Sequence, residues 1–124
     1  MKLKLRQYQH NDCKILEWQG RVDSFTKSEF EKQLHEAVAE GVLKIAIDMK
    51  GIEFIALPTI SLLVKTKQKL KLAGGDLFIL QPSPNILKHL RVYTGPFELA
   101  IFKNFKDFEK GEPLESRVEH SFFE

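Results

Sequence analysis

Two hydrophobic rhythms alternate along the chain. Leu3, Leu5 and Tyr8, then Ile15, Leu16 and Trp18, mark two strands, and Asn11-Asp12 between them supplies the turn chemistry of a hairpin. Gly20-Arg21-Val22-Asp23 ends the second strand. The period then turns helical: Phe30, Leu34, Ala37 and Val38 recur at i, i+4, i+7 and i+8, with Gly41 as the stop signal. Thr26 and Glu29 read as a capping box at the start of this helix, and Phe25 and Phe30 stand where a hydrophobic staple would.

"VLKIAID", 42–48, is short, apolar and bounded by Gly41 and Gly51, the pattern of a strand buried on both faces of a parallel sheet. "GIEFIALPTISLLV", 51–64, reads as a strand leaving a turn and running into a helix that starts at Pro58. Leu62, Leu63, Thr66, Leu70 and Ala73 form the expected buried face of that helix. Lys65, Lys67, Lys69 and Lys71 alternate with a period of two, which wraps around a helix, so they read as solvated surface and not as a phosphate or lipid patch.

Gly74-Gly75 ends the helix, "DLFIL" at 76–80 is another buried strand, and Ser83-Pro84 is a second start signal. A short helix with Ile86, Leu87 and Leu90 follows, broken at Gly95-Pro96. "ELAIF", 98–102, is the last strand, and Asn104 to Lys110 a terminal helix with Phe105 and Phe108 on one side. From Gly111 no period is sustained.

The order β-β-α-β-α-β-α-β-α predicts an α/β fold: a mixed sheet of about five strands with about four helices packed on it. Residues 1–110 are expected to form a single domain and 111–124 a frayed tail, with Phe122-Phe123 its apolar pair.

Composition narrows this little. A net charge of +2, with acids and bases interleaved, gives no footprint for nucleic acid. The alternating charges of Met1 to Arg6 resemble neither a signal peptide nor a membrane span, and Cys13 is alone, so a reducing cytoplasm is the expected setting.

Candidate chemistry is sparse. His10, His35, His89 and His120 lack metal-type spacing, and no Gly-rich phosphate loop or nucleophile elbow occurs, so neither metal nor cofactor is expected. Gly74-Gly75 lies at a helix C-terminus, electrostatically the wrong end for a phosphate. Nothing near Cys13 would lower its pKa, and its place in an early strand suggests a small buried side chain. Asp48 sits at a strand end, where α/β proteins place functional acids, but has no evident partner. No catalytic residues are assigned, and the chain is expected not to be an enzyme.

In order along the chain come "GRVD" ending a strand, a helix, "KIAIDMKGIEFIALPTISLLVKTKQKLKLAGGDLFIL", and "SPNILKHLRVYTGPF". Together they resemble the STAS domain, the fold of anti-sigma factor antagonists and of related modules in sulfate transporters and stress-signalling complexes. The resemblance covers roughly residues 3–110.

In that family the strand after the Asp48-like position leads into Asp-Ser-Ser-Gly or a close variant. The first of those serines is the phosphoacceptor, acted on by a partner kinase. Matching residue by residue, Ala56 stands for the aspartate, Leu57 for the acceptor, Pro58 for the second small residue and Thr59 for the glycine. Leu57 has no oxygen, so it can neither cap the helix nor accept a phosphoryl group: the junction resembles a phospho-switch without its switch. Thr59 and Ser61 are the candidate displaced acceptors, and Asp23 matches the family's acid at the neighbouring turn.

The resemblance implies a non-enzymatic, bacterial, cytoplasmic signalling module that acts on transcription by binding an anti-sigma factor or kinase-like protein. A scaffold or transporter-complex subunit is the variant of that role, and a module sensing a nucleotide, anion or lipid the alternative class. The expected partner surface is Asp23, Ser24, Phe25, Ala56, Leu57, Pro58, Thr59 and Ser61, apolar enough to favour constitutive docking or self-association into a homodimer. No nucleic acid and no membrane insertion is expected.

Overall fold

A computed structural model describes residues 3–95 and 98–114. Its elements are β1 (Lys4–His10), β2 (Cys13–Val22), α1 (Lys27–Ala39), β3 (Lys44–Ile55), α2 (Leu57–Leu72), β4 (Asp76–Leu80), α3 (Pro84–Tyr93), β5 (Ala100–Phe102) and α4 (Phe105–Lys110). They follow the expected order and form one sheet in the order β1-β2-β3-β4-β5. β1 pairs antiparallel with β2 through the Asn11-Asp12 turn, where Asn11 takes a positive φ of 56°, and the remaining pairs are parallel.

Side chains of successive strand residues point to opposite faces, and the core divides accordingly. Leu16, Trp18, Ile45 and Ile47 pack with Phe30 and Leu34 of α1, Leu63 and Leu70 of α2, and Ile86 and Leu90 of α3. Trp18 lies 4.2 Å from Phe30, centroid to centroid, at the centre of this layer. The other face holds Cys13, Ile15, Ala46, Leu80 and Phe102, against which Phe105 and Phe108 of α4 pack. Each fully buried large apolar side chain contributes roughly 1.5–3 kcal/mol against the entropy of ordering.

β3 differs most from expectation. It does not stop before Gly51 but runs unbroken to Ile55. Gly51 is a point of close approach: a Cβ there would meet Gln19 Cγ at 2.6 Å and the Trp18 carbonyl oxygen at 3.0 Å. The β2–β3 register shifts on either side of this contact, between Glu17 and Gln19 and between Gly20 and Arg21, so β3 carries the extra residues of two irregularities. The glycine that reads as a turn is therefore a bulge inside one long strand.

Smaller differences lie at the ends. α2 begins at Leu57 with Pro58 in its first turn, Ala73 is exposed beyond it, and β5 starts only at Ala100. Pro96 and residues 115–124, including Phe122-Phe123, fall outside the described residues.

Candidate functional site

The long β3 delivers its helix to the same level as the end of β2. Val22 and Ile55 are register partners, and the Ala56 N–H donates to the Val22 carbonyl at 2.9 Å. The loop from Asp23 to Thr26 and the start of α2 thus leave the sheet side by side.

Asp23 organises the first of these segments. Its Oδ1 accepts from the backbone N–H of Phe25 at 2.9 Å and of Thr26 at 3.2 Å, and its carbonyl accepts from Lys27 at 2.9 Å. The bond from Phe25, with those from Thr26 and the nearby Arg21, holds the Asp23 carboxyl below its ordinary pKa, against the opposing effect of burial. Thr26 occupies the N-cap position of α1 without capping through its side chain; its Oγ1 accepts from the Asp23 N–H and donates to the Arg21 carbonyl at 2.6 Å. The capping box is replaced by an aspartate three residues upstream. The staple fails as well, since Phe25 is 91% exposed while Phe30 is buried.

The second segment has no such chemistry. Ala56 is the N-cap residue of α2, in extended conformation and without a side-chain cap bond, and the first turn contains no acid. Leu57 is 44% exposed, and Pro58 and Ser61 are also exposed. Thr59 differs from its neighbours: it is fully buried, and its Oγ1 has no hydrogen-bond partner among the described residues. Of the expected surface residues, Asp23, Ser24, Phe25, Ala56, Leu57, Pro58 and Ser61 lie outside the core and Thr59 points into it.

Sequence reasoning missed a strip beside this end. The Arg21 guanidinium lies 4.7 Å over the Phe54 ring, and Arg21 Nε is 3.9 Å from Asp23 Oδ2. Phe54 is 6.4 Å from the His89 ring, which meets Tyr93 edge-on at 5.1 Å. Only the shifted register puts Arg21 opposite Phe54, so sequence offered no signal for it.

Asp48 has partners after all. It is 1% exposed; its Oδ1 accepts from the Lys50 N–H at 3.0 Å, and the Gln81 side-chain amide spans both carboxylate oxygens at 3.3 and 3.2 Å. Burial pushes its carboxyl up, while its register partner Glu17 is pulled down by Arg6, whose Nε donates to it at 2.9 Å. Gln81 reaches Asp48 from a positive φ of 55°, so the bond pins the segment that leads into α3. Cys13 is buried, and its thiol is pushed up to about 12 by burial, which leaves it inert as a nucleophile. No group of three or more metal-ligating side chains occurs among the described residues.

Comparison with known proteins agrees with this architecture. The family model of the STAS domain matches residues 4–108. No curated protein matches the chain in sequence. An anti-sigma factor antagonist from Mycobacterium paratuberculosis superposes with a TM-score of 0.79 at 15% identity, covering 89% of this chain and 93% of its own. A putative anti-sigma factor antagonist from Thermotoga maritima gives 0.78 at 15% identity, covering 86% and 92%. The Bacillus cell fate determinant SpoIIAA in its phosphorylated form gives 0.64 at 13% identity, covering 86% and 98%. At such identities these likenesses establish a shared fold.

Proposed function

The chain belongs to the STAS-domain family, and on that premise we propose that it is a non-enzymatic signalling module which captures a protein partner through the end where β2 and β3 give way to α1 and α2. The observation that carries this reading is the pairing of Phe25, 91% exposed, with Leu57, 44% exposed, on adjacent segments. Large apolar side chains held at the surface by a rigid sheet are the usual anchors of an interface, and neither contributes to the core. Asp23 adds a charge fixed by its backbone bonds at the same place.

The likeness to anti-sigma factor antagonists supports the partner class in this reading: an anti-sigma factor or a kinase-like protein, met in the cytoplasm. No described helix is long and apolar enough to cross a membrane. Capture does not depend on phosphate at the usual position, because Leu57 offers no oxygen. Of the two hydroxyls at the start of α2, that of Ser61 is open to modification and that of Thr59 is enclosed.

Leu57→Asp tests the reading directly. Leu57 is half-exposed at a helix N-terminus, where a carboxylate is favourable, so the fold should be unaffected by the change while the partner is lost. The check is a pull-down from the organism's own extract beside a thermal melt. Capture that survives both Leu57→Asp and Phe25→Asp, or a variant that unfolds, would refute the assignment.

A further inference from the structure

The exposed row of α2 runs Leu57, Ser61, Lys65, Lys69 at intervals of four, with Leu72 continuing it at the far end. It is apolar at both ends, Leu57 being 44% and Leu72 91% exposed, and cationic between them. Neither α2 nor α3 contains an acidic residue. Asp76, the acid of the intervening segment, is already engaged by Lys67 at 2.6 Å and Lys71 at 3.8 Å, while Lys65 and Lys69 extend into solvent. Beside the row a shallow surface groove lies between α1 and α2. Leu34, Val38 and Leu62 give it an apolar floor, Lys69 stands on its α2 wall, and Glu31 and His35 on its α1 wall.

This groove therefore has a charge gradient across its width. α1 carries Glu29, Glu31 and Glu36 beside Lys27 and Lys32, and of these Glu31 lines the groove, whereas the charged residues of α2 are all lysines. We propose that the α1–α2 groove docks an amphipathic acidic helix of the partner protein, an inference that rests on the partner-capture reading and specifies the partner's chemistry. The helix lays its apolar face over Val38 and Leu62, with Leu57 and Leu72 at its ends, and turns its carboxylates toward Lys65 and Lys69. The acids of α1 fix which edge of the incoming helix faces which wall. They also disfavour an anionic bilayer, which would bring negative charge to both walls, whereas an amphipathic helix can turn its carboxylates to the α2 wall alone.

The test uses the full chain, followed by amide chemical shifts. The probes are a synthetic helix of about four turns with leucines on one face and glutamates along one edge, its lysine-for-glutamate counterpart, and phosphatidylglycerol vesicles. The acidic helix should shift the amides of Val38, Leu62, Lys65 and Lys69, and the double reversal Lys65→Glu with Lys69→Glu should weaken it at least about tenfold, with Glu36→Lys neutral or strengthening. The inference is overturned by shifts that are absent or lie elsewhere, by equal binding of the lysine helix, or by vesicles that move the same amides. It is also overturned if those amides shift with protein concentration alone, which would give the groove to a second copy. Failure here with Leu57→Asp still abolishing capture sinks the groove and spares the apolar end; the converse result separates the two the other way.

Discussion

The two ends of α2 are built on different terms. At its C-terminus Gly74 takes a φ of +89° and its N–H meets the Lys71 carbonyl, while Gly75 closes the motif on the Leu70 carbonyl at 2.7 Å. This is a Schellman motif with the orphan carbonyls satisfied, reinforced by Lys67 and Lys71 on Asp76. At its N-terminus the helix has an alanine at the cap, no first-turn acid, and two exposed apolar residues. The junction of β4 with α3 shows the ordinary solution to the same problem: Ser83 caps through its side chain, accepting from Ile86, with Pro84 behind it. One end of α2 is thus finished for stability and the other left open, as an end kept for contact would be.

Attacking the finished end should cost the most. A Cβ at Gly75 would stand 1.9 Å from the Leu43 carbonyl oxygen, a backbone atom that cannot swing aside. Gly75→Ala should destabilise the protein by about 3 kcal/mol or more in chemical denaturation. Gly74→Ala meets nothing within 4 Å but keeps the positive φ, so its cost should be about 1–2 kcal/mol. At the open end the sign reverses. Ala56→Ser supplies the missing cap and should stabilise by about 1 kcal/mol, measured the same way, and a loss would mean that the N-terminus is not the unfinished end.

The smallest effect concerns pH. The folded state holds the Asp48 carboxyl above its ordinary pKa through burial, so between the unfolded and folded values it binds the extra proton and stability falls as pH rises. Asp23 works in the opposite direction: its lowered pKa contributes stability above the unfolded value that is lost as pH falls through the folded one. Asp48→Asn should flatten the first slope while leaving the acid-side loss, as read from denaturation midpoints across pH. An unchanged slope would show that Asp48 is not the group responsible.

Much of the fold was legible because periodicity reports burial. "DLFIL" falls on β4, the Ser83-Pro84 start is observed with its cap bond, and the order of elements is the one expected. What stayed hidden depended on contacts distant in sequence. Gly51 reads as a boundary until Gln19 and Trp18 are seen packed against it. Gln81 finds Asp48 across 33 residues from a backbone conformation that no local signal announces. Thr26 and Phe25 fit the capping and staple pattern by spacing alone, but Thr26 Oγ1 is taken up by the Asp23 N–H and the Arg21 carbonyl, Asp23 Oδ1 takes the Thr26 N–H, and Phe25 stands in solvent. At the site the residue types already showed that Leu57 lacks an acceptor oxygen. The burial of Thr59 beside the exposure of Ser61 required knowing which side of α2 faces the sheet.

The central claim is that this end captures its partner without being phosphorylated. Intact-mass spectrometry of the partner-bound protein, isolated gently from its own cells, tests it most directly. The account predicts an unmodified chain in the complex. A phosphate mapped to Ser61 in the unbound pool and absent from the bound one would contradict it.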